Sequence, residues 1–434
     1  MLNVCVQWGV TNADTRIATP SSCWKPMSLR FIHSADWQLG ARFTQFGGKA
    51  ELLRNARLQT WETALRKGDE FGVDAFLIAG DLFEDSQVDD TLVRAALSLC
   101  AKHPKLRVFI LPGNHDPATG PGSVWERNEF TTLPKNVVVL KEPGVHELAG
   151  GFLIAAPLKQ KVSTHDPSLK IAELARDLPA DKIQVGITHG AIAIPGKHKP
   201  NDFPIALDAA SRAGVDYLAV GHWHNWQTYD NDRLLMPGTP EPDSFDQENS
   251  GSVALVEISN RGALPKINRV PVATLTWQSL KFDFVNVEAG KKALQQRLDD
   301  MRPSGAKTVL RVTLHGSASP QVLHEITKLL QPLFDSFLAA QMIDGTTVAF
   351  TAGELEVLQR EHPLLAQTIA DLFQVEHLAT NTPLPAGIGA SEALSLAAAQ
   401  ELTGSAKIEL TQLDTEFFKF AHQLLSQKLQ EVGP

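Results

Sequence analysis

The stretch AFLIAGDLFED at residues 75–85 decides the fold that this sequence predicts. Residues 75–79 form an uninterrupted apolar run, which is typical of a strand buried on both faces of a parallel sheet. Asp81 and Glu84 follow directly after the run, and ligands of α/β proteins collect at the carboxyl ends of such strands. The stretch therefore predicts a central strand that presents acidic side chains at one edge of a sheet.

Other segments repeat this pattern of an apolar run followed by a polar cluster. They are LRFI (29–32) before HSADWQ (33–38), RVFIL (107–111) before PGNHD (112–116), VGIT (185–188) before HG (189–190), and YLAV (217–220) before GHWH (221–224). Helical periodicity at 50–67 and 89–101 separates the early runs, and β-like pieces follow at 233–236 and 252–258. This alternation of strand and helix predicts an α/β fold.

The chain of 434 residues is long enough for about three structural units. Residues 1–27 lack periodicity, so we predict a disordered or non-native extension, with Met27 as an alternative start. Residues 28–272 form the predicted α/β domain. Residues 273–350 alternate strand and helix, with strands expected at 280–287, 308–314 and 337–342 and helices at 291–301 and 321–330, which predicts a small α+β cap. Residues 351–434 read as helical, and the last helix is expected at 410–429, where apolar residues form a stripe.

The composition limits the classes of protein that the chain can represent. With 43% hydrophobic and 21% charged residues, it can bury a core and is not typical of a disordered protein. No apolar run is long enough for a transmembrane helix. Its 3 cysteines lack metal-site or disulfide spacing, so we predict a cytoplasmic protein. The net charge of −9 argues against a broad basic face for duplex DNA.

The polar clusters at the strand ends combine carboxylates, amide oxygens and imidazoles. That mixture suits Mn²⁺, Fe²⁺ or Zn²⁺ better than Ca²⁺ or Mg²⁺, which prefer oxygen ligands alone. A carboxylate such as Asp81 can bridge two ions, and two ions can hold both the attacking and the leaving oxygen of a phosphoryl group. Taken alone, Asp81 could be a helix cap, residues 113–116 a turn, and His222 and His224 ordinary loop residues. Their joint occurrence favours one shared site.

The order of these motifs resembles that of the calcineurin-like metallophosphoesterases. More narrowly, HSADWQLG (33–40), AGDLFED (79–85), LPGNHDP (111–117), THGA (188–191) and VGHWHNW (220–226) are similar to the SbcD-like DNA repair exonucleases. The stretch MPGTPEP (236–242) resembles the segment that closes their catalytic domain. The resemblance covers about 29–270, and it implies a four-layer α/β/β/α sandwich.

The resemblance also implies a role for each residue that matches a family motif. One metal would be held by Asp36, Gln38, Asp81 and His224, and a second metal by Asp81, Asn114, His189 and His222. His115 would be the catalytic histidine, with Asp116 orienting it. Gln38 stands where many relatives have a histidine ligand, so this departure concerns the strength of metal binding. Glu84 stands where some nucleases have a histidine, so this departure concerns the strength of exonuclease activity.

The resemblance implies a nuclease that hydrolyses DNA phosphodiester bonds with two divalent ions, Mn²⁺ being the first expectation. It further implies dimerisation and an SMC-like (SbcC-type) ATPase partner, which the apolar stripe at 410–429 would bind unless it packs against its own domain. The absence of a long apolar run predicts no association with a membrane. Two alternatives stay open: a phosphodiesterase or phosphatase for small nucleotides, and a weakly active scaffold subunit of an ATPase complex. Two groups of side chains could bind phosphates or stack on bases, or could be ordinary surface and packing residues. They are Lys159, Lys161, Lys197, His198 and Lys199, and the tryptophans Trp37, Trp125, Trp223 and Trp226.

Overall fold

A computed structural model describes residues 28–120, 122–284, 287–348 and 352–380, with isolated positions at 384, 413, 417, 418 and 421. The predicted extension before Met27 and the predicted helix at 410–429 therefore lie almost wholly outside the described residues. Among the described residues, no helix is long and apolar enough to cross a membrane.

The strands of the described residues, in chain order, are β1 (Leu29–Ser34), β2 (Ala75–Ala79), β3 (Val108–Leu111), β4 (Val137–Val139), β5 (Gly144–Leu148), β6 (Gly151–Ala156), β7 (Ile183–His189), β8 (Tyr217–Gly221), β9 (Gln227–Tyr229), β10 (Leu234–Met236), β11 (Ser252–Ile258), β12 (Lys266–Pro271), β13 (Thr276–Asp283), β14 (Thr308–Ala318) and β15 (Ala339–Val348). The helices are α1 (Ala50–Phe71), α2 (Asp90–Ala101), α3 (Ser168–Ala175), α4 (Ala209–Ala213), α5 (Val287–Met301), α6 (Pro320–Phe334), α7 (Ala352–Glu361) and α8 (Pro363–Thr380).

Two six-stranded sheets form the body of the molecule. The first has the order β12-β11-β1-β2-β3-β4, and the second has the order β5-β6-β7-β8-β10-β9. The inner faces of the two sheets share one apolar core, in which Phe31, Leu77 and Phe109 meet Leu153 and Val185. Because successive strand residues point to opposite faces, the neighbouring Phe76 and Ile78 of β2 point to the outside of the first sheet.

Helices cover the outer face of each sheet. Trp61 of α1 and Val93 of α2 pack on Phe76 and Ile78 of the first sheet. Ile171 of α3 and Ala210 of α4 pack against Leu218 of the second sheet. The layers therefore run helix, sheet, sheet, helix, which confirms the predicted four-layer α/β/β/α sandwich.

The parallel pairings explain why the polar clusters meet. In the first sheet β1, β2 and β3 are parallel neighbours, and in the second sheet β6, β7 and β8 are parallel neighbours. Parallel neighbours end at the same edge of a sheet, and their carboxyl ends are where ligand sites form. Both sheets thus place the motif residues at one rim of the sandwich.

A third, three-stranded sheet follows, with the order β13-β14-β15. Leu298 of α5 and Ile326 of α6 pack against Val312 of this sheet in a separate apolar core. The expected strand at 280–287 is placed four residues too late, since β13 spans Thr276–Asp283; its exposed, weakly alternating residues hide its start. The strand expected at 337–342 is likewise β15, Ala339–Val348. The division into domains at 272 and 350 stays a prediction.

An aromatic cluster joins the third sheet to the sandwich. Trp277 of β13 packs edge-on against Phe245, with ring centroids 4.7 Å apart, and against Phe46 at 5.7 Å. The guanidinium of Arg311 lies 4.1 Å from the centroid of the Phe245 ring, a distance at which cation and ring attract each other. The segment that follows the MPGTPEP stretch is therefore fixed against the third sheet.

Candidate metal centre

Three buried ligand-type side chains converge at the rim of the sandwich. Asp36 follows β1, Asp81 follows β2, and His189 ends β7, and all of them have an exposed fraction of 1% or less. One ligand atom from each lies within 4.8 Å of the others. A divalent cation can be coordinated by donors at this spacing, so these residues form a candidate metal site.

Asn114 extends this cluster towards the second sheet. Its side-chain Oδ1 lies 2.8 Å from Nε2 of His189 and 3.0 Å from Nδ1 of His222. The other ring nitrogen of His189 lies 2.8 Å from the carbonyl of Ala79. Since a carbonyl only accepts hydrogen bonds, Nδ1 of His189 carries a proton, and in the neutral ring Nε2 is an acceptor. In that neutral form the lone pairs of Nε2 of His189 and Oδ1 of Asn114 face each other, and either a second proton on the ring or a metal cation would resolve that arrangement.

Gln38 and His224 form a second pair of ligand-type side chains, close enough to Asp36 for His224 to affect the pKa of that carboxyl. The side-chain nitrogen Nε2 of Gln38 lies 3.2 Å from Nε2 of His224. On the far edge of the His224 ring, Nδ1 lies 2.7 Å from the amide of Gln247. Following the ligand sets that the resemblance implies, we call Asp36, Gln38 and His224 the amide half of the candidate centre, and Asn114, His189 and His222 the imidazole half; the resemblance assigns Asp81 to both.

Asp81 and Asp36 also hold the backbone of the centre together. Oδ1 of Asp81 accepts a hydrogen bond from the backbone N–H of His115 at 2.9 Å. Both carboxylate oxygens of Asp36 accept from the backbone N–H of His222 at 3.0 Å. A Cβ atom at Gly113 would collide with the carboxylate of Asp81. Glycine is therefore required in the GNHD motif so that the loop can approach this carboxylate.

Several of these side chains sit on unusual backbone. The φ angle is 54° at Asp36, 42° at Gln38 and 54° at Asp81, a left-handed conformation that non-glycine residues rarely adopt. Backbone hydrogen bonds from Asp36 to Gly80 (3.1 Å) and from Gln38 to Asp81 (3.0 Å) keep the two strand-end loops side by side in that conformation. Such strain is concentrated at functional sites, where the surrounding structure maintains it.

The electrostatics of the cluster are dominated by buried negative charge. Burial raises the pKa of Asp36. Burial would also raise the pKa of Asp81, but the adjacent His189 outweighs it and holds that pKa below its usual range. Burial lowers the pKa of His189, whereas the carboxylates of Asp81 and Asp36 raise it, to about 9 overall. Without a metal, a proton on His189 thus compensates the carboxylates, and a divalent cation would compensate them more fully.

His115 and Asp116 lie beside this cluster. The His115 ring is half-buried, and its Nδ1 lies 2.8 Å from the backbone carbonyl of Glu84. Asp116 is buried and accepts from the backbone N–H groups of Gly113 at 2.7 Å and Phe83 at 3.0 Å. It therefore ties the loop that carries His115 to the segment that follows β2, and its predicted role of orienting His115 would be exerted through that loop.

Sequence reasoning missed Asp202 and Asp243, two carboxylates that each lie close to one ring nitrogen of His222 or His224. Oδ2 of Asp202 lies 3.0 Å from Nε2 of His222. Asp243 lies 3.8 Å from Nδ1 of His224 and forms an ion pair with the buried Arg57 at 3.1 Å. Asp243 directly follows the family-like MPGTPEP stretch, which could have drawn attention to it. Asp202 lies in an irregular segment without any comparable signal.

For several tryptophans and lysines the sequence leaves two interpretations open, namely contact with phosphates or bases and an ordinary packing or surface role. The structure shows that some of these side chains are buried and others lie at the surface. Trp37 and Trp125 are buried, with exposed fractions of 0% and 1%, so they cannot stack on a base. The Trp226 ring lies 5.3 Å from the guanidinium carbon of Arg269, and Lys159 forms an exposed ion pair with Glu142. His33 is a packed residue whose Nδ1 lies 2.8 Å from the hydroxyl of Tyr217, and burial lowers its pKa to about 3.

The sequence is similar to those of known phosphoesterases and of a nuclease subunit. Residues 29–226 match the sequence model of the calcineurin-like phosphoesterase family. The chain contains a calcineurin-like metallophosphoesterase domain. Its relatives include the uncharacterized metallophosphoesterase YhaO of Bacillus subtilis, with 25% identity over 72% of this chain and 77% of that protein. They also include one subunit of the nuclease SbcCD of the same organism, with 22% identity over 71% of this chain and 86% of that protein.

The DNA double-strand break repair protein Mre11 of Methanopyrus kandleri is a further relative, with 26% identity over 50% of each chain. These relatives confirm the resemblance to calcineurin-like and SbcD-like proteins. They also confirm the predicted class of enzyme, a metal-dependent phosphoesterase. A metallophosphoesterase domain binds divalent metal ions, and Asp36, Asp81 and His189 form a candidate site for such an ion in this chain.

Proposed function

We propose that the chain is a two-metal phosphodiesterase that hydrolyses DNA, and that Mn²⁺ is its preferred ion. The observation that carries this proposal is the convergence of Asp36, Asp81 and His189 within 4.8 Å in a buried rim of the sandwich. Asp81 would be the shared ligand. Gln38 and His224 would complete one metal site with Asp36, and Asn114, His189 and His222 would complete the other.

The divalent ions, when bound, would lower the pKa of a coordinated water and neutralise charge on the phosphoryl oxygens. The contribution of His115 follows from its own contacts. Its Nδ1 donates to the carbonyl of Glu84, so Nε2 is the atom that would meet the leaving oxygen, and the doubly protonated ring would donate its Nε2 proton to that oxygen. Asp116 would keep His115 in register through the backbone N–H groups that it binds.

DNA is the proposed substrate class because two of the relatives are a nuclease subunit and a DNA repair protein. The net charge of −9 means that DNA would be bound through a local patch, the metal ions or a partner. We further propose that an SMC-like ATPase is that partner, contacted by the C-terminal region, and that the chain dimerises through its catalytic domain.

A nuclease assay with a matched pair of variants tests this function. The purified protein with Mn²⁺ is given linear duplex DNA, single-stranded DNA and bis(p-nitrophenyl) phosphate. We expect release of nucleotides or fragments by the wild type and by Asp208→Asn, an exposed control, and none by Asp81→Asn. Hydrolysis of the small ester without any cleavage of DNA would overturn the DNA assignment but not the phosphodiesterase assignment.

The acidic charge of the chain favours a second candidate, a phosphodiesterase for small nucleotides. Cyclic and linear dinucleotides in the same assay separate this candidate from the first. A wild-type protein that hydrolyses none of these substrates, and that binds no Mn²⁺, would support the scaffold alternative instead.

A further inference from the structure

We propose that Asp202 is a positioning residue that fixes the tautomer and the orientation of His222, so that Nδ1 of this ring faces the metal centre. The inference rests on the proposed role of His222 as a ligand and adds a residue that neither the sequence motifs nor the family comparison assign. Its basis is the contact that each His222 ring nitrogen makes.

The two nitrogens of the His222 ring face opposite environments. Nε2 lies 3.0 Å from Oδ2 of Asp202, and Nδ1 lies 3.0 Å from Oδ1 of Asn114. The carboxylate oxygen and the amide oxygen both accept hydrogen bonds and donate none, but the ionised carboxylate is the stronger acceptor, so the single proton of the neutral ring resides on Nε2. Nδ1 is then left with its lone pair pointing at Asn114 and towards His189, whose ring centroid is 5.3 Å away at an angle of 88°.

This arrangement matters because only an unprotonated nitrogen can bind a metal ion. The opposite tautomer would direct an N–H group of His222 into the cluster and remove its lone pair. Histidine ligands of metals characteristically donate their second N–H to a carboxylate or a carbonyl, which sets both tautomer and ring orientation. The Asp202 carboxylate is the acceptor for the second N–H of His222, as the carbonyl of Ala79 is for His189.

The position of Asp202 is itself fixed by the backbone of the segment that follows β7. The Asp202 carbonyl accepts from the N–H of Ala191 at 3.0 Å, its N–H donates to Lys199 at 3.2 Å, and the next residue, Phe203, donates to Ser163 at 2.9 Å. A Cβ at Gly190 would collide with the carbonyl of Phe203, so glycine lets the segment close over the rim. The backbone that carries the Asp202 carboxylate is therefore held in place.

A merely structural ion pair is the competing explanation. The side chains of His222 and Asp202 are exposed by 14% and 25%, and partly exposed pairs contribute little to stability. The structural explanation predicts that removing Asp202 changes folding and leaves the metals of the folded protein unaffected. The positioning role predicts the reverse: a change at one metal site with little change in folding.

The test compares the full chain with Asp202→Ala, Asp202→Asn and the exposed control Asp208→Ala. Mn²⁺ binding is measured by titration calorimetry, and the protonated ring nitrogens are identified by ¹⁵N NMR of the metal-free and Zn²⁺-loaded proteins. We expect Asp202→Ala to weaken one of two Mn²⁺ sites by about 10–100-fold. Asp202→Asn should retain most of the affinity, because its amide oxygen still accepts from Nε2. The NMR spectrum of wild-type His222 should show the proton on Nε2.

The contrary results are equally specific. Unchanged Mn²⁺ affinities in Asp202→Ala, or a proton on Nδ1 of wild-type His222, would overturn the inference. Loss of both sites together with a lowered melting temperature in both Asp202 variants would also overturn it, in favour of the structural role. A wild-type protein that binds fewer than two Mn²⁺ ions would instead defeat the proposed two-metal function, so the two failures are distinguishable.

Discussion

The two halves of the centre differ in the strength of their ligands and in how they are supported. The imidazole half offers two histidine rings, and one of them is held by Asp202 from an irregular segment at the surface. The amide half offers Gln38 in place of a ring, and a neutral amide oxygen is a weaker ligand for a transition metal than an imidazole. Its support, however, includes a buried arginine.

Arg57 of α1 is the centre of that support. Its side chain is 1% exposed, it donates to the carbonyl of Trp37 at 2.7 Å, and it pairs with Asp243. Asp243 accepts from Gln247 at 2.6 Å, and Gln247 contacts His224. One buried cation thus fixes both the Gln38 loop and the His224 ring. We infer that rigid placement compensates for a weak ligand, since preorganised donors bind with a smaller entropic cost.

The largest expected effect comes from the residue that both halves share. Asp81→Asn keeps the size of the side chain but removes the bridging charge, so both metal sites should lose affinity. The loss of metal-dependent stabilisation is worth several kcal/mol, or about 10³-fold or more in kcat/KM. Metal analysis and the Mn²⁺-dependent rate of DNA cleavage measure it. Asp208→Asn controls for the removal of a negative charge. If Asp81→Asn keeps one intact metal site and a cleavage rate within tenfold of wild type, Asp81 is not a ligand that both sites share.

Next in size is the loss of the support behind the amide half. Arg57→Met leaves Asp243 buried without its cation, which costs about 3–5 kcal/mol of the free energy of unfolding and lowers the melting temperature by on the order of 10 °C. Calorimetry on the metal-free protein gives both quantities. A double-mutant cycle with Asp243→Asn should show strong coupling between the two residues. Additive losses would mean that Arg57 stabilises the fold through Trp37 alone.

A smaller effect is expected from strengthening the weak ligand. Gln38→His replaces the amide by an imidazole at a φ of 42°, a conformation that histidine tolerates better than most residues. We expect Mn²⁺ to bind the amide half about tenfold more tightly, with no change at the imidazole half. Calorimetric titration resolves the two sites. Equal affinities before and after the change would show that rigid support already makes the amide site as strong as a histidine site.

The sequence alone could predict the strand ends and the candidate ligands of both halves, but not the residues that support them. The strand ends at Ala79, Leu111 and His189 were predictable, because apolar runs that end in polar clusters carry their own signal. Candidate ligands could be named from that pattern and from the family resemblance, and three of them, Asp36, Asp81 and His189, lie together in the structure.

The supporting residues could not be predicted in the same way. Arg57 lies on an ordinary helix and Asp202 in a loop, and only the tertiary fold brings either of them to the centre. The left-handed backbone at Asp36 and Asp81 was equally hidden, because a residue's identity favours such a conformation only weakly and the packing of two loops imposes it.

The smallest effect is expected at Glu84, where the chain departs from some nucleases. His115 is held by the backbone carbonyl of Glu84 at 2.8 Å, and a side-chain substitution leaves that carbonyl in place. Burial raises the pKa of the Glu84 carboxyl, whose charge faces His115, Asp243 and Arg57. Glu84→Gln should therefore change kcat for DNA cleavage by only about threefold, on the order of 0.7 kcal/mol. A loss of 100-fold or more would show that the carboxyl itself takes part, and that His115 depends on it rather than on the backbone.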